Sequence, residues 1–129
     1  MTNDSSLYHM VGGKPTFDRL VESFYAGVAS DEVLVRMYSA EDLAEDFAGA
    51  KHRMTSFLAQ YFGGPRTYSD ERGHPRLRMR HAAFQVDADA RDRWLQHIRA
   101  AVRCLDLPAT HEAALIGYFE RAAHSLVNR

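Results

Sequence analysis

Apolar positions recur at helical spacing along four stretches of the chain, and no stretch alternates for long enough to form a strand. Phe17, Leu20, Val21, Phe24, Tyr25 and Val28 share one face of a helix, with Thr16 as its expected cap. Before it, residues 1–11 form a partly ordered extension with a turn of helix around Leu7–Val11, which Gly12-Gly13 stops and Pro15 re-aims. Ser30 is the expected cap of a short second helix whose first turn holds Asp31 and Glu32, where the helix dipole favours acids. That helix runs out near Met37-Tyr38, and the acidic segment 39–46 reads equally as loop or as added helical turn. Phe47, Ala50, Met54, Phe57, Leu58 and Tyr61 mark the next helix, closed by Gly63-Gly64 and Pro65. Asp87 or Asp89 opens another, with Trp94, Leu95, Ile98, Val102 and Leu105 on its apolar side. Pro108 and Thr110 separate it from a last helix expected to bury Leu115, Phe119, Ala122 and Leu126. The predicted fold is all-α: two long helices before a central segment and two after it, as antiparallel pairs with room for a flat ligand between them.

The central segment, 63–84, departs from this pattern. It has little helical periodicity, yet Arg66, Arg72, Arg76, Arg78 and Arg80 outweigh Asp70 and Glu71 within it. His74 and His81 lie among these arginines, and Leu77, Met79, Ala82, Ala83 and Phe84 give the stretch an apolar side. A large ligand that is apolar in its body, anionic at its edge and held at its centre by an imidazole would account for the combination. Haem fits that description, as do other ligands.

Composition narrows the classes. The 129 residues suit one domain, 1–129. A formal net charge of -1 argues against a general nucleic-acid partner, so the arginine band is a local feature. Cys104 is the sole cysteine, which excludes an internal disulfide and favours a reducing compartment. The first residues lack a basic segment followed by a long apolar run, and no window is apolar enough to span a membrane. A cytoplasmic location is the expectation.

Hydrolase and protease chemistry find little support. No GxSxG occurs, and His111-Glu112-Ala113-Ala114-Leu115 carries Leu where a zinc site of that pattern needs its second His. Without Cys-x-x-Cys-His, a haem would be non-covalent, with His81 a candidate imidazole ligand. Tyr25, Tyr38 and Trp94 come from three different elements, each with one polar donor on a large apolar body. Each is ordinarily a core aromatic. Converging on an iron, they would donate to bound dioxygen, each donor adding about one to two kcal/mol. Arg53 and Arg80 are candidate partners for carboxylates at the ligand edge, while Arg66 and Arg72 can pair with Asp70 or Glu71. Cys104 reads as a small buried hydrophobe.

The segments VGGKPTFDRLVESFYAGVASDEVL, MYSAEDL, FLAQYFGGPRTYSDERGHPRLRMRHAAF, DRW and AAHSLVN resemble the group II truncated haemoglobins across essentially the whole chain. The resemblance implies a globin-like two-on-two helical sandwich around haem b, with an irregular loop before the proximal helix. It implies His81 as the iron ligand, Tyr25, Tyr38 and Trp94 as the groups stabilising the distal ligand, and Ala50 as a small gate. It further implies a haem-contacting set of Arg53, Met54, Phe57, Tyr68, Leu77, Arg80, Phe84 and Val86, together with His81 and Trp94. Two departures stand out. The segment between Tyr38 and Ala50 is a few residues longer than the usual group II form, and Met54 brings a flexible thioether.

Reversible dioxygen binding with slow release is the function this implies. The alternative is haem-based redox catalysis, either nitric oxide dioxygenation or peroxide reduction, and a non-haem helical interaction module is a distant third. The expected partners are dioxygen and other diatomic ligands, an external reductase if turnover occurs, and a second copy of the chain.

Overall fold

The computed structural model describes residues 6–73 and 87–127 of the chain. In order the helices are α1 (Leu7–Met10), α2 (Lys14–Ala29), α3 (Glu32–Val35), α4 (Ala40–Tyr61), α5 (Thr67–Arg72), α6 (Ala88–Arg103) and α7 (Ala109–Leu126). No strand occurs among the described residues. Helix α2 packs on both α4 and α6, and α6 packs on α7, so the pairs α2/α4 and α6/α7 form a two-on-two sandwich. Phe17, Leu20, Phe24 and Val28 of α2 meet Leu58, Ile98, Val102, Leu115 and Phe119 in its centre, all essentially excluded from water. Close approach of α2 and α6 depends on Gly27, where a Cβ would lie 2.5 Å from Nδ1 of His97.

Several boundaries differ from those the periodicity predicts. Helix α2 starts at Lys14 with Gly13 as its N-cap and Pro15 in the first turn, where a missing N–H costs nothing. Thr16 is therefore inside the helix. Its buried hydroxyl donates to the Val11 carbonyl at 2.7 Å and so closes the end of α1 instead of capping α2. Ser30 likewise is not the cap of α3; it holds αR geometry at the end of α2. Asp31 has the extended backbone that a cap needs, and its carboxylate accepts from the amides of Val33 (3.0 Å) and Leu34 (3.2 Å).

The ambiguous segment 39–46 is both helix and turn. Ser39 and Asp42 form a reciprocal capping box that starts α4. Glu45, Asp46 and Phe47 then adopt positive φ values of 54°, 57° and 63°, which break the helix before it resumes. Left-handed backbone at non-glycine residues costs roughly 1–2 kcal/mol each, so neighbouring contacts must hold it. Lys51 does so in part, bonding Asp46 at 3.2 Å and Glu22 of α2 at 2.7 Å.

Within the arginine-rich stretch, 67–72 forms the short helix α5, a run too brief for periodicity to reveal. Gln60 of α4 fixes it through both the Ser69 amide (2.9 Å) and hydroxyl (2.6 Å). Glu71 pairs with His52 at 2.9 Å. Thr110 lies inside α7, whose N-cap is Pro108. Ala123 is the buried alanine on α7 while Ala122 is half-buried, and the side chain of Leu126 lies outside the described residues. Cys104 is exposed at the end of α6, not buried, because it sits at the C-cap facing away from the core.

Asp31 does more than cap α3. Its buried carboxylate also receives His97 (2.8 Å) and Arg93 (3.2 Å) from α6, joining the end of α2, the start of α3 and α6 at one anion. Burial alone pushes this carboxyl up. The His97 bond, the two amides and the Arg93 charge outweigh it and hold the group below its ordinary value. A depressed carboxylate stabilises the fold above the ordinary carboxylate range, and that contribution is lost as pH falls through the folded value. Asp31→Ala should therefore cost about 1–2 kcal/mol in urea unfolding at neutral pH, the cap's usual worth. The gap to the parent chain should close in acid; a gap that persists there would contradict the assignment.

Candidate functional site

Two of the three aromatics singled out from the sequence, Tyr25 and Tyr38, pack together where α2 meets the start of α4, and the third, Trp94, reaches them through Phe24 from α6. Tyr25, at the buried face of α2, meets Tyr38 with ring centroids 5.9 Å apart and Phe47 at 5.1 Å. Tyr38 and Phe47 stand edge to face at 5.6 Å. The left-handed turn at 45–47 is what swings Phe47 inward to only 5% exposure, where it backs both tyrosines. Trp94 of α6 joins through Phe24, at 5.4 Å from it and adjacent in sequence to Tyr25. Trp94 also touches Phe119 of α7 at 5.8 Å.

The Tyr25 and Tyr38 phenols lie close enough to influence each other's ionisation. Burial pushes the Tyr25 phenol strongly up, and the neighbouring Tyr38 adds to the effect. Burial pushes Tyr38 up to about 12, with Tyr25 pulling the other way. Both groups are therefore phenols at any physiological pH, each with an O–H to donate.

Around this centre, Ala50 is buried, Met54, Phe57 and Trp94 are half-buried against the core, and Tyr68 of α5 is buried against Phe57 with ring centroids 5.5 Å apart. Arg53 points its Nη2 at Asp42, 2.6 Å away, so its guanidinium clasps the capping box that follows Tyr38. Both charges reach Tyr25, Arg53 favouring the phenolate and Asp42 opposing it. His81, Leu77, Arg80, Phe84 and Val86, with His74, Arg76 and Arg78, lie outside the described residues. A separate cavity of about 260 Å³, lined in part by Tyr8, Glu22, Lys51, Ser56 and Thr67, shares no residue with the junction.

Chemically, the junction offers polar donors on an otherwise apolar wall of half-buried side chains. That combination fits a flat, mostly apolar group such as haem with a small, partly anionic ligand on one side. Two contributors were missed from sequence. Phe47 read as an ordinary first residue of a helical face, since nothing in the sequence marks a left-handed run. Asp42 was visible in principle: Ser39 and Asp42 have the spacing of a capping box.

A family model described as bacterial-like globin matches residues 6–128. The group 2 truncated hemoglobin YjbI of Bacillus subtilis is 34% identical over 117 residues, which cover 91% of this chain and 85% of that one. Among solved structures, a thermostable hemoglobin from the actinobacterium Thermobifida fusca superposes with a TM-score of 0.89 at 53% identity, covering 95% of this chain and 97% of that one. A hemoglobin from the thermophilic phototrophic bacterium Chloroflexus aurantiacus gives 0.90 at 43% identity, with 96% and 98% covered. With its fold matched over nearly the full length of these relatives, the chain belongs to the bacterial-like globins, as a truncated two-on-two haemoglobin.

Proposed function

We propose that the chain binds haem b non-covalently and holds dioxygen reversibly through a polar aromatic distal pocket that slows release. The observation that carries this reading is the packed pair of phenols Tyr25 and Tyr38, linked to Trp94 through Phe24, in a wall otherwise built of apolar side chains. Haem, when bound, supplies a ferrous iron to which diatomic ligands attach. His81 would hold the haem iron through its imidazole, an assignment made on its place in the sequence. Met54, Phe57, Tyr68 and Trp94 supply contacts for the ring body, with Leu77, Phe84 and Val86 completing the set proposed from sequence.

Tyr25, Tyr38 and Trp94 would each present a polar donor to a small, partly anionic ligand held on this side of the haem, with the two phenols close enough to influence each other. Ala50 contributes no donor and leaves the entrance small. Arg53 has donors beyond the one Asp42 uses, so its planar fork can serve a propionate and the capping box together.

Trp94→Phe should raise the dioxygen dissociation rate about tenfold, the equivalent of a buried hydrogen bond worth one to two kcal/mol. Carbon monoxide dissociation should respond less, because that ligand is less polar when bound. Tyr38→Phe should have a smaller effect than Trp94→Phe, since Tyr38 sits beside the lengthened segment that follows it. Stopped-flow displacement of both gases tests this; equal small effects on the two gases would mean that Trp94 only fills space.

Arg53→Ala should speed haem transfer to an acceptor protein while the ligand spectra stay nearly unchanged. Asp42→Asn should leave haem transfer much slower than Arg53→Ala does. Unaltered haem loss in Arg53→Ala would restrict Arg53 to holding the capping box.

A further inference from the structure

Tyr61 was expected on the buried face of its helix, yet it is 54% exposed, the most exposed of the large apolar side chains among the described residues. All six tyrosines of the chain are described, and of these Tyr61 alone is exposed. It is not a stray surface ring. Its centroid lies 4.3 Å from that of Tyr118, the shortest ring separation among the described residues. From Tyr118 the rings continue without a gap: Phe119 at 5.3 Å, then Trp94 at 5.8 Å. A run of aromatic contacts thus leads from water to the ring already placed in the candidate pocket. Three of its four members, Tyr61, Tyr118 and Trp94, are side chains that can release a single electron, and Phe119 bridges two of them.

We propose that Tyr61 is a surface oxidation site, from which an electron passes by way of Tyr118, Phe119 and Trp94 to the haem pocket when hydrogen peroxide is reduced there. This rests on the haem reading of the pocket and adds a one-electron activity at the protein surface. Reduction of one hydrogen peroxide to two waters takes two electrons and two protons. Two Tyr61 phenols, from two chains, supply one electron and one phenolic proton each. The two phenoxyl radicals couple through ring carbons beside the oxygens, and the hydrogens displaced there return to the oxygens as protons. The sum is two tyrosines plus one peroxide giving one dityrosine plus two waters. With an external one-electron reductant of phenol type present, that reductant repairs Tyr61 and is consumed in place of the coupling.

The ends of the run suit this division. Burial and the neighbouring Tyr61 push the Tyr118 phenol up to about 12, so losing a proton there is disfavoured. Tyr61 lies in water, which can take its proton directly. Oxidation should therefore settle on Tyr61 even though Tyr118 is nearer the pocket along the run.

The test uses the full haem-loaded chain carrying Cys104→Ser, because the exposed thiol would otherwise couple under the same oxidant. After hydrogen peroxide is added, dityrosine fluorescence, covalent dimer on a denaturing gel and peptide mass mapping are read. The expected result is a dimer joined Tyr61 to Tyr61, absent from the haem-free chain, lost in Tyr61→Phe and reduced in Tyr118→Phe. Added phenol should suppress the dimer. Tyr118→Phe removes only a hydroxyl from a ring whose packing is kept, so folding is not at issue. A crosslink mapped to another tyrosine, or equal dimer yield from haem-free chain or Tyr118→Phe, would overturn the proposal. A chain that takes up haem and consumes peroxide with Tyr61 intact would overturn this inference alone, whereas a chain that takes up no haem would overturn the pocket reading with it.

Discussion

Two phenol hydroxyls buried in an apolar junction must find partners or cost several kcal/mol in lost hydration. Here the two phenols pack against each other with Phe47 against both rings, and much of the surrounding structure holds that arrangement. Tyr25 arrives on a long, well-buried helix whose position is set by core packing. Tyr38 arrives just after a helix of a single turn and needs to be held. Phe47 provides the wall behind both rings, but only because the chain accepts three consecutive left-handed residues to turn it inward. The capping box of Ser39 and Asp42, the Arg53 clasp on Asp42 and the Lys51 bridge to Asp46 and Glu22 are the contacts that sustain this turn. Strain and its compensation lie beside the candidate site, which is where locally unfavourable backbone tends to be kept.

A second anion supports the same junction from its far side. Asp31 closes the first turn of α3 and binds α6 through His97 and Arg93. Helix α6 carries Trp94, so the register between Trp94 and the tyrosines depends on this carboxylate as well as on the glycine contact at Gly27. Tyr25 is thus placed by core packing, Tyr38 by the capping box and its Arg53 clasp, and Trp94 by the Asp31 anchor of α6.

The long helices were legible because their buried faces repeat with the helical period over many residues: α2, α6 and α7 are where Phe17–Val28, Trp94–Val102 and Leu115–Phe119 place them. Tyr25 and Trp94 could be named because each is a polar aromatic on an apolar helical face, and Tyr38 as a polar aromatic at a helix end; the fold packs Tyr25 on Tyr38 and links Trp94 to them through Phe24. Short-range geometry was less visible. Ser30 and Asp31 are both good caps by type, and backbone dihedrals, not composition, decided for Asp31. Thr16 looked like a cap until Gly13 and Pro15 took the helix start. The run at 45–47 has no glycine or asparagine to announce a left-handed turn, so Phe47 was taken for an ordinary helical position. Cys104 and Tyr61 are exposed for a related reason: each stands at or near the end of its helix, where the period no longer predicts the face.

The proposed function requires that a flat apolar cofactor lies against the pocket's polar aromatics and is held by the His81 imidazole. The most direct measurement is the absorption spectrum of the ferrous, ligand-free chain after titration with haem, recorded for the parent and for His81→Ala. The parent should take up equimolar haem and give the spectrum of an imidazole-ligated globin, and His81→Ala should lose that spectrum until free imidazole is added. An unchanged imidazole-type spectrum in His81→Ala, with no imidazole supplied, would contradict the account.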